Sequence, residues 1–143
     1  MKIMGIDYGD SRVGIALSDA LGITAQGLKT LPNKVYPKLL ESVCNLISEN
    51  NVSKIVVGLP KNMNGSLGPR AEVTQKFAED IKKLSDDVEI VFQDERLTTV
   101  EATVFLNATN TRGKSRKNII DTVSAEIILQ SYLDSNVNRI KGE

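Results

Sequence analysis

The run Lys54-Ile55-Val56-Val57-Gly58 sets three β-branched residues side by side with no polar residue between them. A strand of this kind is apolar on both faces, so it belongs inside a parallel sheet that is covered on both sides. The flanking segments supply covers. From Val35 to Glu49 the apolar residues Val35, Leu39, Leu40, Val43, Leu46 and Ile47 recur at three- and four-residue spacing, the stripe of an amphipathic helix with Pro37 in its first turn. After a Pro, Asn and Gly loop from Leu59 to Pro69, in which Gly65 permits a tight turn, a second helix is expected from Arg70 to Leu84. Val88 to Phe92 reads as the next strand.

The two ends of the chain read differently. Lys2 to Asp7, Arg12 to Ser18 and Ile23 to Thr30 are short extended segments separated by Gly9-Asp10-Ser11 and Asp19-Ala20-Leu21-Gly22, the pattern of an antiparallel meander. Thr98 with Glu101 three residues on is a capping-box signal for a helix through Leu106, and Asn107 to Ser115 is expected to be mobile because it has no apolar pattern. A last helix is expected from near Ser115, with Ile119, Ile120, Val123, Ile127, Ile128 and Leu133 as its apolar set and a polar tail after Asp134. This order, read as one α/β domain over residues 1–143, makes strands one, four and five parallel and brings their carboxyl ends to one edge. Open α/β sheets place ligands at such an edge.

Composition narrows the chemistry. The chain has no histidine, which removes Ser-His-Asp and Cys-His catalysis together with the usual zinc sites. Eighteen basic residues balance eighteen acidic ones, so nucleic-acid binding has to come from a local patch. Six aromatic residues and no tryptophan leave little for base-stacking platforms. The single cysteine, Cys44, falls in a helical apolar pattern and reads as a buried small hydrophobe in a reducing compartment. No apolar stretch approaches the roughly 20 residues of a membrane span, so a soluble, cytoplasmic protein without membrane contact is expected.

What remains is carboxylate chemistry. Asp7 ends the first strand, Gly58-Leu59-Pro60-Lys61 leaves the fourth, and Asp94-Glu95-Arg96 leaves the fifth, so acids far apart in sequence meet at one edge. Like charges gathered in one cleft repel unless a cation compensates. Asp121, early in the last helix, is the third candidate, with Ala125 four residues on as a small residue for close approach to the sheet. An oxygen-only set of this kind suits Mg²⁺ or Mn²⁺.

Ile6-Asp7-Tyr8-Gly9, Arg12-Val13-Gly14-Ile15-Ala16, Ser18-Asp19, Gly58-Leu59-Pro60, Asp94-Glu95-Arg96-Leu97-Thr98 and Asp121 with Ile127-Ile128-Leu129-Gln130 occur in the order and spacing that resemble the YqgF family. That family is described as Holliday junction resolvases and pre-16S ribosomal RNA nucleases. The resemblance spans nearly the whole chain. It implies a ribonuclease H-like fold, a five-stranded mixed sheet in the order 3-2-1-4-5 flanked by helices, with Asp7, Glu95 and Asp121 as catalytic residues and metal ligands. Ser124, where alanine is common in the family, and the additional acid Asp10 are departures; Asp10 is read as capping its turn.

Thr111-Arg112-Gly113-Lys114-Ser115-Arg116-Lys117 sets four cations before Asp121, where they oppose the helix dipole. That misfit favours contact with a phosphate backbone, and Lys61, Arg96, Arg112, Lys114, Arg116 and Lys117 are the candidate substrate-binding residues. The expected substrate is the ribosomal RNA precursor, cut at the 5′ end of 16S RNA, by a monomer or homodimer. Alternatives are resolution of branched DNA, a non-catalytic nucleic-acid-binding or transcription-related role, and nucleotide binding through the Asp7-to-Gly14 hairpin.

Overall fold

The computed structural model describes residues 2–62, 64–94 and 115–141, the last of these by backbone alone over 115–121 and 136–141. Its elements are β1 (Lys2–Tyr8), β2 (Arg12–Ser18), β3 (Ala25–Pro32), α1 (Tyr36–Glu49), β4 (Val52–Leu59), α2 (Pro69–Leu84), β5 (Glu89–Asp94) and α3 (Ser115–Lys141). The sheet order is β3-β2-β1-β4-β5. β1 runs antiparallel to β2 and parallel to β4, and β4 runs parallel to β5. The expected meander and two helical crossovers are therefore present. The helix expected from Thr98 to Leu106 and most of the stretch from Asn107 to Ser115 lie outside the described residues.

Boundaries moved where side chains compete for the backbone. β3 starts at Ala25 and not at Ile23, because the Asp19 carboxylate accepts hydrogen bonds from Ile23 N (2.7 Å) and Thr24 N (3.3 Å) and holds the turn open. Those amides, Ile23 first, pull the Asp19 carboxyl below its ordinary range. α3 continues to Lys141, past Asp134 where a tail was expected. Val137 and Ile140 continue the four- and three-residue spacing from Leu133, a helical pattern within the stretch read as a polar tail. Cys44 is half-buried, at the rim of the core, and receives a weak hydrogen bond from Ser85 Oγ at 3.6 Å.

The sheet separates two cores. On one face Met4, Ile6, Val13, Ile15, Ile55 and Val57 pack with residues of α1 and α2 that include Leu39, Val43, Phe77 and Ile81. On the other Ala16 and Val56 pack under Ala125, Ile128, Leu129 and Leu133 of α3. A register shift between Ile15 (paired with Lys29) and Ala16 (paired with Gly27) leaves Leu28 as an extra residue. This bulge changes which face β3 presents, so Ala25 joins the α3 core while Leu31 joins the opposite one. The outer edge of β3 is closed by α3: Gly27 N donates to Glu126, Ala25 N donates to Gln130 Oε1 at 2.9 Å, and Gln130 Nε2 donates to Ile23 O at 2.9 Å. An edge satisfied in this way offers fewer free groups to a further strand.

Candidate active site

Alternation along β1 decides where Asp7 points. Met4 and Ile6 belong to the α1 and α2 core, so Ile3, Gly5 and Asp7 share the α3 face. Asp7 is half-buried and paired in register with Gly14 of β2. The turn that follows is clamped. Gly9 N donates to Arg12 O at 3.0 Å, Asn33 Nδ2 donates to Gly9 O at 2.8 Å, and Asn33 N donates to Ser11 O at 2.9 Å. A Cβ at Gly9 would lie 2.4 Å from Arg12 O, so only glycine fits there. Asp10 is exposed, and the backbone and Asn33 close this turn.

α3 runs antiparallel to β1, and three contacts fix its direction. Gly5 lies against Ala125 and Leu129, while on β3, which is parallel to β1, Ala25 meets Gln130 and Gly27 meets Thr122. From Gly5 to Asp7 is two strand residues, about 6.6 Å of rise. From Ala125 back to Asp121 is one helical turn, about 6 Å. The two distances match, so the Asp121 position of α3 arrives level with the end of β1.

The third acid comes from the far side of β4. Leu59 pairs with Asp94, the last residue of β5, and Ile6 of β1 pairs with Val57. β1, β4 and β5 therefore end together. Glu95, the residue after Asp94, lies outside the described residues, as do Arg96, Arg112 and Lys114. Asp121, Arg116 and Lys117 are placed in α3 by their backbone alone. Among the described residues no three potential ligands cluster, and only one of the three acids expected to do so has a described side chain.

Lys61 is half-buried at the same edge and forms an antiparallel bridge with Leu67. It opens a compact hairpin in which Asn62 N donates to Ser66 O at 2.9 Å and Ser66 N donates to Asn64 Oδ1 at 3.0 Å. Gly65 carries the positive φ of 87° that the turn requires. Two residues that shape the site had no part in the reading of the sequence. Gly5 was hidden in an apolar strand, although glycine inside a strand is itself a signal of close backbone approach. Asn33 carries no pattern that would have found it.

The family model described as RuvX, Holliday junction resolvase, matches residues 1–135. A Halothermothrix orenii protein named "Putative pre-16S rRNA nuclease" is 49% identical over 142 residues, covering 99% of this chain and 100% of that protein. A Clostridioides difficile protein of the same name is 46% identical over 137 residues, 96% of each chain. Among solved structures, T. thermophilus RuvC in complex with a Holliday junction substrate superposes with a TM-score of 0.62 at 12% identity, covering 96% of both chains. The fowlpox virus Holliday junction resolvase gives 0.56 at 14% identity, covering 94% of this chain and 99% of that one. At these identities the structural likeness is one of fold, the ribonuclease H-like fold expected from the sequence.

Proposed function

The chain belongs to the RuvX family, also called YqgF, and from that premise we propose that it is a metal-dependent endonuclease that hydrolyses phosphodiester bonds in nucleic acid, maturing the 5′ end of 16S ribosomal RNA precursor in the cytoplasm. The observation that carries this reading is the placement of Asp7 on the α3 face, level with the Asp121 position and at the same sheet edge as the β5 end, one strand further over, that leads into Glu95. The donor set fits a hard divalent cation: Asp7 is half-buried at an open edge, and the chain offers carboxylates and no imidazole.

Asp7, Glu95 and Asp121 would hold Mg²⁺ or Mn²⁺. Bound there, the ion lowers the pKa of water and neutralises phosphate charge. Asp7, fixed by the β1–β2 ladder and the Gly9 clamp, orients its carboxylate without cost at the moment of reaction. Lys61, Arg96, Arg112, Lys114, Arg116 and Lys117 would grip the phosphate backbone. No described helix is long and apolar enough to cross a membrane.

Resolution of four-way DNA junctions is the second reading, favoured by the family description. It requires two sites in a symmetric dimer, whereas trimming one RNA end does not. Single-turnover cleavage of a 16S precursor RNA and of a four-way DNA junction, with one preparation and one metal, separates them. The RNA is expected to be cut faster, and faster symmetric cutting of the junction by a stable dimer would overturn that choice. Neutralising Arg112, Lys114, Arg116 and Lys117 together is expected to weaken RNA binding and to lower the salt-dependence slope by roughly one unit for each phosphate that is no longer neutralised. An unchanged slope would move the substrate track elsewhere.

A further inference from the structure

We propose that Gly5 is a positioning residue that sets the metal selectivity of the site by fixing how closely α3 approaches the end of β1. The proposal rests on the nuclease reading above. It begins from a close approach that no larger residue permits. A Cβ on Gly5 would stand 2.7 Å from Leu129 Cβ and 2.8 Å from the Ala125 carbonyl oxygen. Neither is the far end of a flexible side chain: one is the first side-chain carbon, fixed to the helix backbone, and the other is backbone. Ordinary carbon contacts are about 3.5–4.0 Å, so accommodating a methyl group moves α3 outward by roughly 1 Å.

The surroundings channel that displacement to the site. Ala125 and Leu129 are fully buried against the sheet, and Ala16 lies fully buried in the same core, so no slack is available to absorb the methyl locally. α3 is held further along by Glu126 and Gln130 on the β3 edge. Gly5 lies two residues before Asp7 on the same face, and Ala125 lies one turn after Asp121, so this close helix–strand contact is immediately behind the pair of acids. Widening it separates two ligands that come from different elements.

Ions differ in their tolerance of such a change. Mg²⁺ demands near-ideal octahedral geometry at 2.0–2.1 Å, whereas Ca²⁺ accepts six to eight oxygens at 2.3–2.6 Å in a flexible arrangement. The close approach at Gly5 therefore favours the small ion, and Gly5→Ala shifts preference toward the large one. A displacement of about 1 Å also costs on the order of 10²-fold in the Mg²⁺-supported reaction.

The test is calorimetric titration of Mg²⁺ and of Ca²⁺ into the full chain, with melting temperature and single-turnover cleavage measured alongside. Gly5→Ala is expected to raise the Mg²⁺ Kd by roughly tenfold or more while changing the Ca²⁺ Kd by less than about threefold, in line with the geometric demands of the two ions. Leu129→Ile, which adds a branch to the very Cβ that faces Gly5, is expected to do the same to a smaller degree and serves if Gly5→Ala does not fold. Leu133→Ala destabilises the same helix one turn beyond Leu129 without widening the gap, so its affinities for both ions should stay at wild-type values. The proposal is overturned if Gly5→Ala and Leu129→Ile fold and keep the wild-type ratio of Mg²⁺ to Ca²⁺ affinity, or if Leu133→Ala shifts that ratio equally. Asp7→Asn distinguishes a failure of this proposal from a failure of the nuclease reading. If it binds metal like the wild type, the nuclease reading fails, whereas loss of metal in Asp7→Asn with an unchanged ratio in Gly5→Ala sinks only the positioning role.

Discussion

On the face covered by α1 and α2, the sheet offers Met4, Ile6, Val13, Ile15 and Val57 to Leu39, Val43, Phe77 and Ile81; on the α3 face it offers Gly5, Ala16 and Val56 to Ala125, Ile128 and Leu129. The first is a thick layer of large aliphatic side chains, which contributes most of the apolar burial and spreads any local misfit over many neighbours. The second is thinner, and the small residues Gly5, Ala16 and Ala125 within it let a helix backbone touch a strand. Asp7 and the Asp121 position both belong to the thin side. The difference separates two tasks: bulk burial stabilises the fold, and close approach fixes the distance between ligands.

The sharpest way to break this division is Phe77→Ala in the thick layer. Phe77 is fully buried and lies 4.5 Å, centroid to centroid, from the Tyr8 ring. Its truncation is expected to cost about 3–5 kcal/mol in urea unfolding. Cleavage per folded molecule should stay within about threefold of wild type, since Phe77 and Tyr8 pack on the face of the sheet opposite to Asp7. A collapse of turnover in the folded fraction would show that the thick face also positions the site.

Matched changes of smaller size sharpen the contrast. Ala16→Val on the thin face is expected to cost about 1–3 kcal/mol by overpacking and to lower turnover in the folded fraction as well. Ile15→Val, one residue earlier on the thick face, is expected to cost about 0.5–1.5 kcal/mol and to leave turnover alone. Equal effects on turnover from the two, measured at matched folded fraction, would erase the distinction.

The smallest effect concerns the brace between α1 and α2. The Tyr36 hydroxyl donates to Asp80 Oδ2 at 2.6 Å, and this bond, aided by Lys76, holds the Asp80 carboxyl below its ordinary 3.8. Burial and the same bond push the Tyr36 phenol well above its usual value. A depressed carboxylate contributes stability that is present above the unfolded pKa and lost as pH falls through the lower folded one. Tyr36→Phe is therefore expected to destabilise by about 1 kcal/mol at pH 6. That deficit should shrink below pH 3.8 as Asp80 protonates. A deficit independent of pH would mean that weakened packing, and not the hydrogen bond, is responsible.

Much of this division was legible in the residues. The β-branched run at Ile55 to Val57 and the stripes of α1 and α2 disclose the thick face, because large apolar side chains leave a periodic signal. The acid at the end of β1 was legible for the same reason, since a charge terminating an apolar strand breaks a pattern. On the thin face the stripe of Ile128 and Leu133 and the small Ala125 were legible but Gly5 was not, because glycine carries almost no hydropathy signal and the tight contact between Gly5 and Leu129 joins residues 124 positions apart. The bulge at Leu28 also escaped, since it arises from how β2 and β3 pair and not from β3 alone. The β3 boundary failed because Ile23 and Thr24 have strand-like side chains, yet the Asp19 carboxylate competes successfully for their amides.

The central claim is that Asp7, Glu95 and Asp121 act as one divalent-metal site across the thin face. Titration of Mn²⁺ into the wild-type chain and into Asp7→Asn, Glu95→Gln and Asp121→Asn tests it most directly. Each variant is expected to raise the Mn²⁺ Kd by more than the roughly 10- to 100-fold that loss of an outer-shell partner costs. The metal-free melting temperature should hold or rise in each, because removing one of three like charges relieves their repulsion. Wild-type affinity in any one of the three variants would contradict the account.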